Sequence, residues 1–581
     1  MEAGQASGQA HFPPLAAGAR PSRGGVGLAV VLILFLAAAA AVNPFREAPY
    51  DDDWAFGETV KHLLETGQYR LNDWLGPNMP FQAVWGALFC LPGGYSFAAL
   101  RLSTIVLAVI GLAAFRGLAV EHGISRGAAN LLALCLASSP LFFKLSLTFL
   151  SDVPFMAVTL VATLFYTRAL RDERWSWWLA ASLAASAAIF VRQFGMALVA
   201  GIALIWLADA RRWQRLPRYL LGVLVPGAAA LWQLNQGWNH STWAQALLLS
   251  RQRVFFWGSG FLKNVPWRPF VLTEYAAFLL PSLVFVAAVA LVRELRGRRL
   301  RAVTARSSMG GTIGGVVAWT ILFAASVFYA SRLLAIDKLM PFLPWYFEIL
   351  KLLGTKIQLC ATIVAVGGGI LFARLFARRS AVAANRPTLN QAVLDASTGV
   401  SLAMALVFFV FGDKDVLIFL PFVAIAVGRQ VESVLTAYRP AVAVLCLGLL
   451  AGTAIWTRED LCRNEAIWTL AERVHATGVP PGKIFAGWEW SGYYEFPAYT
   501  REVPPVASTT FSDFFERWLA GRKAQAEFLI VHDPRPPAGE RWRTIDRFRY
   551  FSVFSRGIET FYTVRREPTR GSGGPQKGTS H

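Results

Sequence analysis

Uncharged or nearly uncharged runs long enough to cross, or nearly cross, a bilayer recur along this chain, and they leave few folds open. They fall at 24–42, 102–115, 127–143, 153–167, 175–191, 193–208, 219–236, 275–292, 307–331, 357–373, 396–412, 416–428 and 440–457. The short ones, 102–115 and 416–428, borrow flanking residues. In hydrocarbon every backbone polar group must be paired within its own segment, so each run is expected as a helix. The result is an all-α polytopic membrane protein of about thirteen spans. An odd number places the two termini on opposite sides of the membrane.

The formal charge of +20 would suggest nucleic acid in a soluble protein. Its distribution says otherwise. The even-numbered connections (116–126, 168–174, 209–218, 293–306, 374–395 and 429–439) hold 21 Lys+Arg in 75 residues. The odd-numbered ones, from 43–101 through 413–415, hold 15 in 135. Basic residues concentrate on the cytoplasmic side, so the even connections face inward and no nucleic-acid partner is needed to explain the charge. The N-terminus, with Arg20 and Arg23, is then cytoplasmic, and the loop 43–101 and the tail from Arg458 lie outside. The run 24–42 lacks a small-residue cleavage pattern, which fits an uncleaved first helix. Five cysteines show neither paired nor metal-ligand spacing.

Residues 1–23, rich in Gly, Ala and Pro, are expected to be a disordered cytoplasmic segment, followed by a transmembrane domain over 24–457. Within the first external loop, apolar Trp54, Val60, Leu63 and Leu64 alternate with polar Glu58, Lys61, His62 and Glu65. That pattern predicts an amphipathic helix on the membrane surface from Asp53, stopped at Gly67. Residues 81–100 are uncharged but interrupted by Pro92-Gly93-Gly94, and read as an interfacial or half-inserted segment. Residues 458–569 read as a small extracytoplasmic α/β or α+β domain. It has helical periodicity over 463–477, strands at Ile484–Trp488, Glu527–His532 and Phe561–Val564, and a helix near 511–523. Residues 570–581 form a loose Gly/Ser-rich tail.

Asp51-Asp52-Asp53 is the densest acidic run and stands where the surface helix begins. A carboxylate there is favoured by the helix dipole and is placed to act as general base toward a hydroxyl at the interface. Ser151-Asp152-Val153-Pro154 puts a second acid at the outer edge of a span, where it also suits a helix cap. Arg192-Gln193-Phe194-Gly195 joins two spans with almost no loop. An arginine on the outer side runs against the charge trend and needs a phosphate or an aspartate as partner. Lys414, between Asp413 and Asp415, and Arg101 are weaker cases of the same kind. Trp488, Trp490, Tyr493 and Tyr494 either stack on a sugar or fill the core of the small domain.

At these residues the first half of the chain resembles the GT-C membrane glycosyltransferases, specifically the protein-mannosyltransferase and aminoarabinose-transferase-like group. Asp52-Asp53, Phe56, Glu58 and Gly67 follow the order of that family's first external loop, with Asp52 at the place of the catalytic aspartate. Phe97–Leu102, Ser138-Ser139-Pro140 and Ser151–Pro154 resemble later motifs, the last with a second functional aspartate. Arg192–Gly195 stands at a Lys-Gly or Arg-Gln-x-Gly element, and Asp413-Lys414-Asp415 with Pro421 is similar to a late Arg-Tyr…Pro motif. Asn78-Met79-Pro80-Phe81 stands where some relatives carry a lysine before a Pro-Pro pair.

The resemblance implies an inverting transferase that moves a sugar from a polyprenyl-phosphate donor to a lipid, glycan or protein acceptor. The reaction would take place on the extracytoplasmic face of a bacterial inner membrane. Asp52 would be the base, shared with Asp53 or Asp152. Arg192, Lys414 and Arg101 would meet the donor phosphate, and Glu58 and Gln193 would orient the acceptor. No cofactor is expected, and no obligatory metal, because a monophosphate donor has less need of a bridging metal than a nucleotide diphosphate donor. The rival readings are a flippase or transporter of lipid-linked saccharides and a non-catalytic relative.

Overall fold

The computed structural model describes residues 24–76, 78–209, 213–237, 276–277, 279–304, 367–369, 371–372, 375, 417–502, 511–533, 541–553 and 555–567. The expected spans 307–331 and 396–412, most of 357–373, and Lys414 lie outside them.

Helix α1 (Gly24–Val42) leads into the first long loop, which holds α2 (Asp53–Thr66) and α3 (Pro80–Cys90). Then come α4 (Phe97–Glu121), α5 (Arg126–Ala137), α6 (Pro140–Ser146), α7 (Asp152–Asp172) and α8 (Trp175–Ile189). A 3-10 turn (Gln193–Gly195) joins α8 to α9 (Met196–Ala208), followed by α10 (Leu216–Gly237), α11 (Pro281–Thr304), α12 (Leu420–Ala437) and α13 (Arg439–His475). Among the described residues α4, α7, α12 and α13 are each long and apolar enough to cross a membrane. The protein is a multi-pass membrane protein.

Residues 127–143, expected as one straight span, are instead two helices, α5 and α6, bent by 69°. The break falls at Ser138-Ser139, because Pro140 lacks the N–H that would continue the ladder and so starts a new helix. Close helix contact elsewhere uses small residues. A Cβ on Gly111 of α4 would lie 3.1 Å from that of Ala157 on α7, which brings these two spans nearly into backbone contact. Helix α2 ends as its sequence predicts, with Gly67 at φ 70° as a left-handed cap whose N–H bonds the Leu63 carbonyl.

Helix α13 has 37 residues, about 55 Å, so it continues well past its apolar run 440–457 as a polar stalk. Onto that stalk packs a sheet in the order β1-β2-β4-β3, with β1 (Ile484–Phe485) parallel to β2 (Phe528–Val531) and the other pairs antiparallel. Strands β3 (Trp542–Ser552) and β4 (Gly557–Arg566) form a hairpin. Phe561 meets Ala466 and Leu470 of the stalk. The strand expected to reach Trp488 stops at Phe485. Gly487, at φ 88°, turns the chain, and Trp488 opens α14 (Trp488–Glu502). Helix α15 (Phe511–Gln525) covers the expected helix near 511–523.

Candidate active site

The aspartate triplet forms the entry to α2, and its three members have three different environments. Asp51 has φ 53°, is half-buried, and donates its backbone N–H to Glu489 at 3.3 Å. Asp52 is the N-cap residue; its carbonyl accepts from Ala55 at 3.0 Å, while its carboxylate makes no capping bond. Instead Oδ1 accepts the indole N–H of Trp74 at 2.9 Å and that of Trp488, from the C-terminal domain, at 3.2 Å. The two indoles lie 4.5 Å apart, with Trp54 packed on both and Phe496 on Trp74 and Trp54. Trp490, by contrast, is fully buried in the core of the C-terminal domain.

Trp74 is itself held through Glu58. Asn72 donates its amide to Glu58 Oε2 at 2.6 Å and its backbone N–H to Thr59 Oγ1 at 3.1 Å, then accepts the N–H of Trp74 at 2.9 Å. Burial pushes the Glu58 carboxyl up to about 7, against the opposing pull of Lys61 and Asn72. Glu58 thus fixes the loop that aims an indole at Asp52.

Asp53 and Arg101 are both 0% exposed and form an ion pair at 3.0 Å. The second Asp53 oxygen accepts from Phe149 N–H at 2.8 Å. In place of the phosphate contact expected for Arg101, all five of its N–H groups are spent inside the chain. Nε and Nη2 donate to Asp53, Nη1 to the carbonyls of Pro44 and Arg46, and Nη2 also to that of Ala48. A guanidinium with no remaining donor cannot bind an anion. It clamps residues 44–48 to α2.

Phe149 links this pair to the second acid. The segment from Phe149 to Asp152 is at most about 10 Å long, and it leads directly into α7. Asp152, 3% exposed, accepts Arg192 Nη2 at 2.9 Å, and Ser151 Oγ accepts Arg192 Nε at 2.8 Å. Arg192 is extended, and Gln193 beside it opens the 3-10 turn. That turn requires Gly195, where a Cβ would lie 2.5 Å from Ile189 N and 2.7 Å from Ala188 C. The structure therefore brings Asp52, Asp53, Arg101 and Glu58 to the start of α2, and Asp152 and Arg192 to the start of α7, with Gln193 next to Arg192 in the chain.

A further cluster joins the stalk to this region. Lys144 of α6 donates to Asp460 at 2.7 Å, and the Tyr50 hydroxyl donates to the same oxygen at 2.6 Å. Burial would raise Asp460, but Lys144 and Tyr50 hold it below the usual carboxylate range. Arg46 pairs with Glu465, and Asn464 donates to the Pro49 carbonyl. Burial, with Asp51 adding to it, pushes Glu489 up to about 7. Local periodicity carries no trace of these contacts, which join residues more than 300 positions apart. Among the described residues no group of three or more His, Cys, Asp or Glu is placed to hold a metal ion.

Residues 80–232 match the family model "Dolichyl-phosphate-mannose-protein mannosyltransferase". Over this stretch the chain is similar to that family of membrane glycosyltransferases. No curated protein matches by sequence. Among solved structures, the chain is similar to ArnT from Cupriavidus metallidurans bound to undecaprenyl phosphate, at 14% identity and a TM-score of 0.46 over 93% of this chain and 98% of that one. It is also similar to the Archaeoglobus fulgidus oligosaccharyltransferase, at 13% and 0.44, over 87% of this chain and 69% of that one. The S. cerevisiae protein O-mannosyltransferase Pmt1-Pmt2 complex bound to the sugar donor matches at 16% and 0.33 over 38% of this chain and only 35% of that chain. Likeness this remote carries no functional weight of its own.

Proposed function

We propose that this chain transfers a sugar from a polyprenyl-phosphate donor to a hydroxyl on a lipid, glycan or protein at the extracytoplasmic face of a bacterial inner membrane. The reading assumes about thirteen spans with the stalk outside. One observation carries the chemistry: Asp52 is a half-buried carboxylate at the joint between the first external loop and the C-terminal domain, with Oδ1 fixed by two indole N–H donors. The similarity of residues 80–232 to the dolichyl-phosphate-mannose-protein mannosyltransferase family supports a polyprenyl-phosphate donor.

Asp52 takes the acceptor proton as the acceptor oxygen attacks the anomeric carbon. The bond to the phosphate oxygen breaks on the opposite side, and polyprenyl phosphate leaves with that electron pair. Arg192, aimed by Asp152 and Ser151, offsets the charge gathering on the departing phosphate, with Gln193 beside it. Lys414 is proposed as a second phosphate contact. Asp53 and Arg101 act as positioning residues, since neither presents a group to substrate.

The test is transfer from a labelled undecaprenyl-phosphate sugar in proteoliposomes. Asp52→Asn is expected to abolish turnover while leaving the protein folded. Turnover close to wild type in that variant would sink the assignment, and movement of the lipid-linked sugar without transfer would favour a flippase.

A further inference from the structure

The β3–β4 hairpin carries a large apolar surface at the end nearest the membrane. Phe551, Val553 and Ile558 are 59%, 39% and 68% exposed, in a domain whose other large side chains are mostly covered. Phe551 and Ile558 are direct cross-strand partners and so share one face of the hairpin.

The position of this end follows from two contacts with the stalk. Arg473, high on α13, donates to Asp546 at 3.2 Å, and Glu459, low on α13, accepts the backbone N–H of Val553 at 3.2 Å. The helix between them (473 − 459 = 14 residues) rises about 21 Å. The strand between them (553 − 546 = 7 residues) spans about 23 Å. Strand β3 therefore runs straight down the stalk toward the bilayer. Its lower end is level with Glu459, two residues past the end of the uncharged run 440–457.

Basic residues complete the arrangement. Arg549 lies one pleat above Phe551, about 7 Å further from the turn, Arg547 one pleat beyond that, and Arg556 is in the turn itself; all three are exposed. A depth of 7 Å is close to the thickness of one headgroup layer. An apolar tip below and arginines at headgroup height are what an interfacial anchor needs on a leaflet containing anionic lipid.

We infer that the tip of the β3–β4 hairpin, Phe551, Val553 and Ile558 with Arg547, Arg549 and Arg556, docks into the outer phospholipid surface beside α13. The tip then adds a hold on the C-terminal domain to those of the stalk and of Trp488 and Glu489 at α2, which restrains its tilt over Asp52. The inference depends on α13 crossing the bilayer and not on the proposed chemistry.

The test uses the full chain with Phe551→Cys, Ile558→Cys or Ile545→Cys, labelled with an environment-sensitive fluorophore and reconstituted into phosphatidylethanolamine–phosphatidylglycerol vesicles. Wild type labelled in parallel is the blank. Labels at 551 and 558 are expected to shift to the blue and to be quenched by nitroxide-bearing lipids several-fold more than the label at 545, which aqueous iodide quenches instead. Iodide quenching at 551 and 558 equal to that at 545 would overturn the inference. So would shielding from both quenchers alike, which would mean that a protein covers the tip.

Discussion

Trp488 reaches across 436 positions of sequence to donate its indole N–H to Asp52 Oδ1. The residue opens a helix of the C-terminal domain, whereas the carboxylate belongs to a loop that precedes the second span. The same oxygen accepts from Trp74, so the orientation of one carboxylate depends on two separate parts of the chain.

Replacing Trp488 or Trp74 with Phe keeps most of the ring packing and removes one N–H. A hydrogen bond to a charged group contributes about 1.5–3 kcal/mol, so transfer by either variant is expected to fall by roughly one to two orders of magnitude. Because both donors share Oδ1, the double variant should lose less than the product of the single losses. Initial rates of sugar transfer would check this, with intrinsic fluorescence confirming the fold. Unchanged rates in both single variants would separate the indoles from catalysis.

Arg101→Lys is expected to lower stability without changing the KM for the lipid donor. Lysine has three donors where arginine uses five, and the lost bonds leave Asp53 and the carbonyls of Pro44, Arg46 and Ala48 short of partners. Breaking a buried pair outright costs about 3–5 kcal/mol, so Arg101→Met should express poorly. Thermal unfolding in nanodiscs and donor titration of the folded fraction separate the two roles. A raised donor KM at normal stability would return Arg101 to the phosphate.

Much of this arrangement was legible because it is local. Hydropathy marks the apolar runs, Gly67 ends α2 by its left-handed φ, and the near-absence of a loop at Arg192–Gly195 shows in the tight turn there. The resemblance singles out Asp52 over Asp53, but the different surroundings of the two were not legible. Adjacent residues at a helix start point about 100° apart, so one meets the C-terminal domain and the other the interior, and only long-range packing decides which. The break at Ser138–Pro140 was hidden by uniform hydropathy. In strand β3, exposed Arg547 and Arg549 alternate with half-buried Phe548 and Tyr550, a signal that the bulge between Thr544 and Asp546 cuts short.

Gly195→Ala should weaken the donor site without direct contact to substrate. The added Cβ would collide with Ile189 N and Ala188 C, backbone atoms that have no flexible end to give way. The turn would open and carry Arg192 away from Ser151 and Asp152. Overpacking of this kind costs about 1–3 kcal/mol. The expected readout is a raised KM for the polyprenyl-phosphate sugar with a modest fall in Tm. An unchanged KM would detach Arg192 from donor binding.

Glu58 and Glu489 predict how stability responds to pH. Both carboxyls are raised by burial to about 7 from a usual value near 4.5. The folded state therefore holds protons that the unfolded state has already released between those values, and stability falls as pH rises through that window. Their contribution is fully present below about 4.5 and lost above about 7. Above pH 7 Glu489 carries its charge beside Asp51, and charge on Glu58 is disfavoured by its burial, against the pull of Lys61 and Asn72. Both groups sit where α2 meets other parts of the chain, so the loss should appear as loosening of the contact between α2 and the C-terminal domain. In nanodiscs, Tm is expected to be higher at pH 6 than at pH 8. Glu489→Gln should raise Tm at pH 8 and flatten the slope, since the amide keeps the acceptor oxygen for Asp51 N–H and cannot ionise. A wild-type Tm that rises from pH 6 to pH 8, with Glu489→Gln following the same curve, would show that these carboxyls do not govern the junction.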